Sequence, residues 1–136
     1  MANLRFSNTL RSNMMDEITS FAGTSATISL YTGTQPSGGG TATTLLVELT
    51  CNAVAFADPA ANGVLTLNSV TGGTAVATGT ATWFRIETSG NTFVMDGDIS
   101  TQAAGTGDMQ LDNTSIVTGG VVSLGGPNTL TSGMAP

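Results

Sequence analysis

The chain has 136 residues, contains neither histidine nor lysine, and sets three arginines against nine carboxylates, for a formal net charge of -6. Because acid–base catalysis and the activation of nucleophiles near neutral pH normally depend on histidine or lysine, this composition argues against most enzyme mechanisms. Without a cluster of cations to replace the counterions of a phosphate backbone, the chain is not expected to bind nucleic acid either. We therefore predict a non-enzymatic protein that uses no cofactor.

The chain is nevertheless apolar enough to fold as one domain. Hydrophobic residues make up 40% of it and charged residues 9%, so its surface must be neutral and rich in hydroxyl groups. No stretch approaches the roughly 20 apolar residues that cross a bilayer, and the N-terminus lacks the hydrophobic core of a signal peptide. The sequence thus predicts no membrane contact. The single cysteine, Cys51, lies in an apolar run and is expected to be a small buried hydrophobic residue.

Residues 1–23 are predicted to form an N-terminal arm followed by an amphipathic helix. An apolar residue recurs every three or four positions, at Leu10, Met14, Ile18 and Phe21. Ser7 can cap the start of this helix and Gly23 its end. Because the helix contains many mediocre helix formers, we expect its apolar stripe to be held against something else, either its own sheet or a neighbouring subunit.

Residues 24–124 are predicted to form a single antiparallel β-sandwich, jelly-roll-like, so that the fold class is mainly β with one N-terminal α-helix. The hydrophobic period changes to two, and short β-branched runs alternate with glycine-rich breaks. Strands are expected near residues 26–31, 45–50, 63–67, 74–77, 79–87, 92–99, 109–111, 115–117 and 121–124. The breaks include a long loop at 34–41, a turn at Asp58-Pro59 and a tight hairpin at 88–91. Residues 125–136 are predicted to be an extended C-terminal arm.

Four aspartates form the clearest acidic grouping, at Asp96, Asp98, Asp108 and Asp112. Oxygen-rich groups of this kind can hold calcium, but the spacing does not match an EF-hand loop. We interpret the grouping as a solvated turn and predict no metal site. Paired carboxylates also occur in glycosidases, yet only Trp83 and Tyr31 would be available to stack on sugar rings.

The strand around Trp83 allows two interpretations. Phe84 and Ile86 lie on one face, and Trp83, Arg85 and Glu87 lie on the other. Tryptophan and arginine on a polar face are typical of protein interfaces, which makes Trp83 and Arg85 candidate partner-binding residues. Alternatively, Trp83 packs under the N-terminal helix, and Arg85 pairs locally with Glu87 or with a neighbouring strand.

Several segments of the chain resemble a widespread family of small virion structural proteins of tailed bacteriophages. The resemblance extends over most of the chain from Arg5 to Val122. It rests on RFSNTLRSNMMDEI at 5–18, ISLYTGTQP at 28–36, TLLVEL at 44–49, ATGTATWFRI at 77–86, VMDGDI at 94–99 and NTSIVTGG at 113–120.

This resemblance implies a non-enzymatic head decoration, or cement, protein on the exterior of the capsid. Its partner would be the major capsid protein, a homotrimer would be the favoured state, and it would be made in the host bacterial cytoplasm before joining the virion. On composition we assign the attachment surface to the C-terminal arm and to Leu4, Arg5, Phe6 and Arg11. The alternatives are a neck, tail or fibre-associated structural protein and, less favoured, a carbohydrate-binding or carbohydrate-cleaving module.

Overall fold

The chain forms a helix followed by short β-strands. The structure is a computed structural model that describes residues 4–57, 60–124 and 129–131, and within these ranges it contains one helix and twelve strands. They are α1 (Asn8–Ala22), β1 (Thr27–Thr32), β2 (Thr44–Cys51), β3 (Val64–Thr66), β4 (Val70–Thr71), β5 (Gly73–Thr74), β6 (Gly79–Thr80), β7 (Trp83–Glu87), β8 (Phe93–Thr101), β9 (Met109–Leu111), β10 (Ser115–Ile116), β11 (Val121–Val122) and β12 (Thr129–Thr131). The turn predicted at Asp58-Pro59 lies outside the described residues.

Six strands form the main sheet, in the order β4-β2-β1-β7-β8-β9, and three two-stranded sheets pair β10 with β6, β11 with β5 and β12 with β3. The prediction of a mainly β, β-sandwich-like fold with one N-terminal helix is therefore confirmed. The sheet is mixed, because β8 and β9 run parallel while its other pairs are antiparallel. The single strand predicted at 79–87 is divided into β6 and β7, which belong to different sheets.

A close approach of two backbone segments produces the parallel pair. Residues 102–108 bring the chain back so that Met109 lies beside Ile99 and β9 runs in the same direction as β8. Within this connection the Ser100 hydroxyl accepts hydrogen bonds from the backbone N–H groups of Thr106, at 3.2 Å, and Gly107, at 2.9 Å. A Cβ atom at Gly107 would lie 2.5 Å from the backbone nitrogen of Ser100. Only glycine fits there. Hydrophobic periodicity carries no information about such a contact.

The central strand β1 is buried on both faces, between β2 and β7. Ala26, Ile28 and Leu30 are fully buried on the core side, as their alternation predicts. On the other face Ser29 and Tyr31 are also buried. The predicted hairpin at 88–91 is confirmed, because the Thr88 N–H donates to the Thr92 carbonyl at 2.9 Å and the chain turns between them.

The ends of α1 are those that the sequence predicts. The Ser7 side chain accepts a hydrogen bond from the backbone N–H of Leu10 at 3.2 Å, and Gly23, with φ of 68°, donates its N–H to the Thr19 carbonyl at 3.1 Å. Both are the expected capping interactions of an isolated helix end.

The face that α1 buries differs from the prediction. Arg11, Met15, Thr19 and Ala22 are buried, and Ile18 is half-buried. The exposed fractions are 44% for Leu10, 40% for Met14 and 56% for Phe21. Of the two alternatives for the stripe, docking onto the protein's own sheet is therefore wrong for these three side chains, and docking onto a neighbouring subunit stays a prediction. Each residue turns the helix by about 100°, so the exposed side chains point in a direction roughly 100° around the helix axis from that of the buried ones.

Polar contacts to residues 60–63 fix this rotation. The Asp16 carboxylate accepts a hydrogen bond from the Ala60 N–H at 2.6 Å, and the Ser12 hydroxyl accepts one from the Gly63 N–H at 3.2 Å. The guanidinium of Arg11 donates to the carbonyl of Asn62. Because Arg11 is buried and anchors the helix, its predicted role as an attachment residue is corrected.

The C-terminal arm predicted at 125–136 is described only at residues 129–131. These residues form β12, which pairs antiparallel with β3. The rest of that prediction lies outside the described residues.

Candidate functional site

A buried ion pair occupies the face of the main sheet opposite the core. The guanidinium of Arg85 on β7 donates to both carboxylate oxygens of Asp96 on β8, at 2.7 and 2.9 Å, and the side chains are 8% and 4% exposed. The same guanidinium donates to the Gly40 carbonyl at 2.9 Å. The hydrogen-bonded carboxylate raises the pKa of Arg85 above its ordinary value. Bidentate pairs of this kind are strong and directional.

Aromatic rings line both sides of Arg85. Its guanidinium carbon lies 5.4 Å from the ring centre of Trp83 and 5.3 Å from that of Phe93. Trp83 also stacks on Tyr31, with ring centres 4.3 Å apart and planes 13° from parallel, and its indole N–H donates to the Thr43 hydroxyl at 2.9 Å. The loop between β1 and β2 is thus fastened over the outer face of the sheet.

The proposal that Trp83 and Arg85 form a partner interface is corrected by this geometry. Both side chains are buried within the chain. The alternative that Arg85 pairs with a neighbouring strand is confirmed, since Asp96 belongs to β8. The same alternative placed Trp83 beneath the N-terminal helix, and this part is wrong. The indole of Trp83 packs on Tyr31 and donates to the Thr43 hydroxyl of the β1–β2 loop. The cluster fixes a loop, and it offers no reactive group.

The four aspartates that the sequence groups together make different contacts in the structure. Asp96 pairs with Arg85, whereas the Asp108 carboxylate accepts a hydrogen bond from the backbone N–H of Asp98 at 3.2 Å. Asp112 lies apart from them, at the margin of a groove. Among the described residues, no three acidic, cysteine or histidine side chains come together in a way that could hold a metal ion.

The side of β8 that faces away from β7 is poorly suited to pairing with another strand. The Asp108 carboxylate occupies the N–H of Asp98, and β9 covers residues 99–101. Toward the other end the register shifts, since Ile86 pairs with Met95 and Glu87 with Phe93, which leaves Val94 as an extra residue. Irregular and charged edges of this kind discourage strand addition. A partner is therefore not expected to add a strand at this edge.

Among the described residues, two groups of exposed apolar side chains stand out, and the first is the helix stripe, defined as Leu10, Met14 and Phe21. Just before the helix, Leu4 is 75% exposed and Phe6 is half-buried. Of the three arginines in the chain, Arg11 and Arg85 are buried and Arg5 is exposed. Among the predicted attachment residues, Leu4, Arg5 and partly Phe6 thus remain at the surface.

The second surface is the β10–β11 groove, which encloses about 350 Å³ and is lined by residues 111–113, 115–117 and 120–123. Leu111 and Ile116 are buried at its floor, while Val117 and Val121 at its rim are 61% and 78% exposed. Val76, 65% exposed, lies alongside because the Ala75 N–H donates to the Gly120 carbonyl at 2.8 Å. The sequence pattern did not indicate this groove. Its lining comes from one segment, residues 111–123, but the shape of that segment depends on the pairing of β10 with β6 and of β11 with β5.

Cys51 is buried, as predicted, and burial raises the pKa of its thiol from an ordinary value of 9.0 to about 11. Between these pH values the thiol ionises in the unfolded chain but not in the folded one. Because the unfolded chain then binds fewer protons, we expect the free energy of unfolding to fall by about 2 to 3 kcal/mol as pH rises from 9 to 11, and to level off above 11. Urea unfolding across this range, in the native chain and in a Cys51→Ala variant, checks this. An equal loss in both would contradict it.

The helix α1 is too short and too polar to cross a bilayer, and no other helix occurs in the part of the chain that the structure describes. Comparison of the chain with protein-family models, with curated proteins and with solved structures finds no match. The resemblance to phage virion proteins therefore remains a prediction from the sequence.

Proposed function

We propose that this protein is a structural component of a tailed-phage virion, a head decoration protein that binds the outside of the assembled capsid and stabilises it. The observation that carries the proposal is the helix stripe. A helix anchored to the body by Arg11, Ser12 and Asp16 holds three large apolar side chains in water. Exposed apolar patches on a folded domain are typical of interaction sites.

The size of the helix stripe favours binding to an assembly over binding to a single partner. Covering the exposed parts of its three side chains would contribute on the order of 5 kcal/mol. Association of two proteins costs about 4 to 15 kcal/mol in lost freedom of motion, so this patch alone gives weak binding. Weak contacts become effective when copies that hold one another bind one lattice, because a copy held by its neighbours meets its own site at a high effective concentration.

A decoration protein stabilises a shell by linkage. It binds the assembled shell and not the separated subunits, so the shell gains stability with the ratio of free protein to its dissociation constant. The composition suits this role, since a net charge of -6 and a neutral, hydroxyl-rich surface fit the outside of a capsid better than its DNA-facing inside.

The burial of the aromatic residues argues against the alternative of a carbohydrate module. Trp83 and Tyr31 were the two rings available for stacking on sugars, and both are buried. Of the four grouped aspartates, Asp96 is bound to Arg85. The neck, tail or fibre location remains the competing assignment.

The copy number of this chain in purified virions tests the proposal. Quantitative mass spectrometry against the major capsid protein is expected to find hundreds of copies, in a simple ratio to the shell subunit. A handful to a few dozen copies would overturn the decoration assignment and place the protein on the neck, tail or fibres.

Removing the helix stripe should weaken occupancy of the virion. A Met14→Ser/Phe21→Ser variant is expected to fold, because both side chains are largely exposed, and to be incorporated at least about tenfold less than the native chain. Val54→Ser, at another half-exposed apolar position, is the matched control and should be incorporated normally. Normal incorporation of the double variant would show that attachment uses another surface.

A further inference from the structure

We infer that Asn62 is a modification site, at which the side-chain amide is hydrolysed spontaneously, and that helix α1 sets the rate of this reaction. Asn62 is exposed and is followed by Gly63, which makes the one Asn-Gly pair in the sequence. Glycine carries no side chain, so nothing on it shields the backbone nitrogen that would attack the asparagine. This chemistry goes beyond the proposed function and does not depend on it.

Asn62 and Gly63 are the central residues of a tight turn. Ala61 and Val64 exchange backbone hydrogen bonds, at 3.1 and 2.9 Å, and φ is 54° at Asn62 and 77° at Gly63. Positive φ at both central residues is the mark of the type I′ hairpin turn, for which Asn-Gly is a preferred pair. The turn presents the Asn62 side chain to water, where its amide can be hydrolysed.

The reaction needs water and no other reagent. The backbone nitrogen of Gly63 attacks the side-chain carbon Cγ of Asn62, and the new bond closes a succinimide ring. The bond from Cγ to Nδ2 breaks, and ammonia leaves with the proton of the Gly63 N–H. Water then opens the ring. Attack of water at Cγ gives aspartate, and attack at the backbone carbonyl carbon gives isoaspartate. Either product adds a negative charge, and isoaspartate also adds one methylene to the backbone.

Helix α1 holds the peptide group that must move. Ring closure brings the Gly63 nitrogen onto Cγ of Asn62, so the peptide group between these residues has to rotate out of the turn. Both of its polar atoms are bonded to the helix, because its carbonyl accepts from the Arg11 guanidinium and its N–H donates to the Ser12 hydroxyl at 3.2 Å. The reaction therefore proceeds from an open state in which these bonds are broken, and its rate follows the population of that state.

The product in turn loosens the helix. Asp16 and Ser12 accept hydrogen bonds from the N–H groups of Ala60 and Gly63, at 2.6 and 3.2 Å. One more methylene in the backbone between these two N–H groups changes their separation, so both bonds no longer fit the same rigid helix. We expect the isoaspartate form to hold α1, and with it the helix stripe, less firmly.

Timed incubation of the full chain at mildly alkaline pH, followed by peptide mass mapping and isoaspartate detection, tests the site. Product at Asn62 is expected to form at least about tenfold more slowly in the folded chain than in urea, because the turn must first open. Ser12→Ala should accelerate it about two- to tenfold, the effect of losing one hydrogen bond. Ser20→Ala, at an exposed serine of the same helix, is the matched control and should leave the rate unchanged.

Three results would overturn the inference. Absence of product at Asn62 in both states, or product that persists in an Asn62→Gln variant, would remove the site. Equal rates in the folded chain and in urea would remove the control by α1. An acceleration by Ser12→Ala that is equally large at Asn91, an exposed asparagine followed by threonine, would show general unfolding in place of a local release of the turn.

Hydrogen exchange provides the second readout. The isoaspartate form, separated by ion exchange, should exchange the backbone amides of α1 at least about threefold faster than the native chain. Asn62→Asp supplies the charge without the added methylene, and its effect should be smaller. Unchanged exchange in α1 of the isoaspartate form would overturn the loosening of the helix. The copy number in virions is independent of all these results.

Discussion

Replacing Asp96 with alanine is expected to lower the free energy of unfolding by about 3 to 5 kcal/mol, a large part of the stability of a small domain. The substitution leaves the guanidinium of Arg85 buried and still donating to the Gly40 carbonyl, but with no carboxylate of Asp96 to balance its charge. Removing one member of a buried ion pair costs this much because the other charge is then uncompensated. Urea unfolding followed by circular dichroism measures the loss.

Two further variants test whether the loss of stability comes from the unbalanced buried charge or from removing any aspartate. Asp98→Ala, two residues along the same strand at an exposed position, should change the free energy of unfolding by less than about 0.5 kcal/mol. The double variant Arg85→Met/Asp96→Leu should recover most of the loss, because it removes both charges and keeps the volume. A loss for Asp96→Ala below about 1 kcal/mol would mean that water solvates Arg85 in the folded chain.

The largest packing effect is expected at Phe84. Its ring fills the space over Gly97 on the adjacent strand, where a Cβ atom would lie 2.6 Å from two ring carbons. Phe84→Ala should therefore cost about 3 to 5 kcal/mol through the cavity it leaves. Gly97→Ala alone should cost about 1 to 3 kcal/mol through overpacking.

The double variant Phe84→Ala/Gly97→Ala gives the sharper result. The added methyl group at position 97 enters the space that the ring vacates, so the second substitution should cost much less in the Phe84→Ala background than in the native chain. The coupling energy between the two sites should be about 1 kcal/mol or more. Strict additivity would contradict the contact between Phe84 and Gly97, and urea unfolding of the four chains of this cycle measures it.

The features that the sequence predicts correctly are those with local causes. The ends of α1 follow from Ser7 and Gly23, whose side chain and backbone act within one helical turn. The positions of β1, β2 and β8 follow from an alternation that spans a few residues. The burial of Cys51 follows from its apolar neighbours.

The features that the sequence does not predict depend on contacts between distant residues. The apolar period of α1 indicates a docking stripe, but the hydrogen bonds of Asp16 and Ser12 to residues 60–63 turn that stripe toward solvent. Trp83 and Arg85 have the composition of an interface, yet the β1–β2 loop covers them through Gly40 and Thr43. The lining of the β10–β11 groove is one segment, but its shape depends on the pairing of β10 and β11 with β6 and β5, which no local pattern specifies.

The surroundings of Trp83 make it an optical reporter of one part of the fold. It is the single tryptophan of the chain, and it is buried, stacked on Tyr31 and bonded to Thr43. The tryptophan emission of the protein therefore comes from one ring in an apolar environment, and a shift of this emission to longer wavelength signals that the loop lifts from the sheet. Because the helix stripe lies elsewhere, attachment through it should leave this emission unchanged, so the same spectrum distinguishes attachment from unfolding.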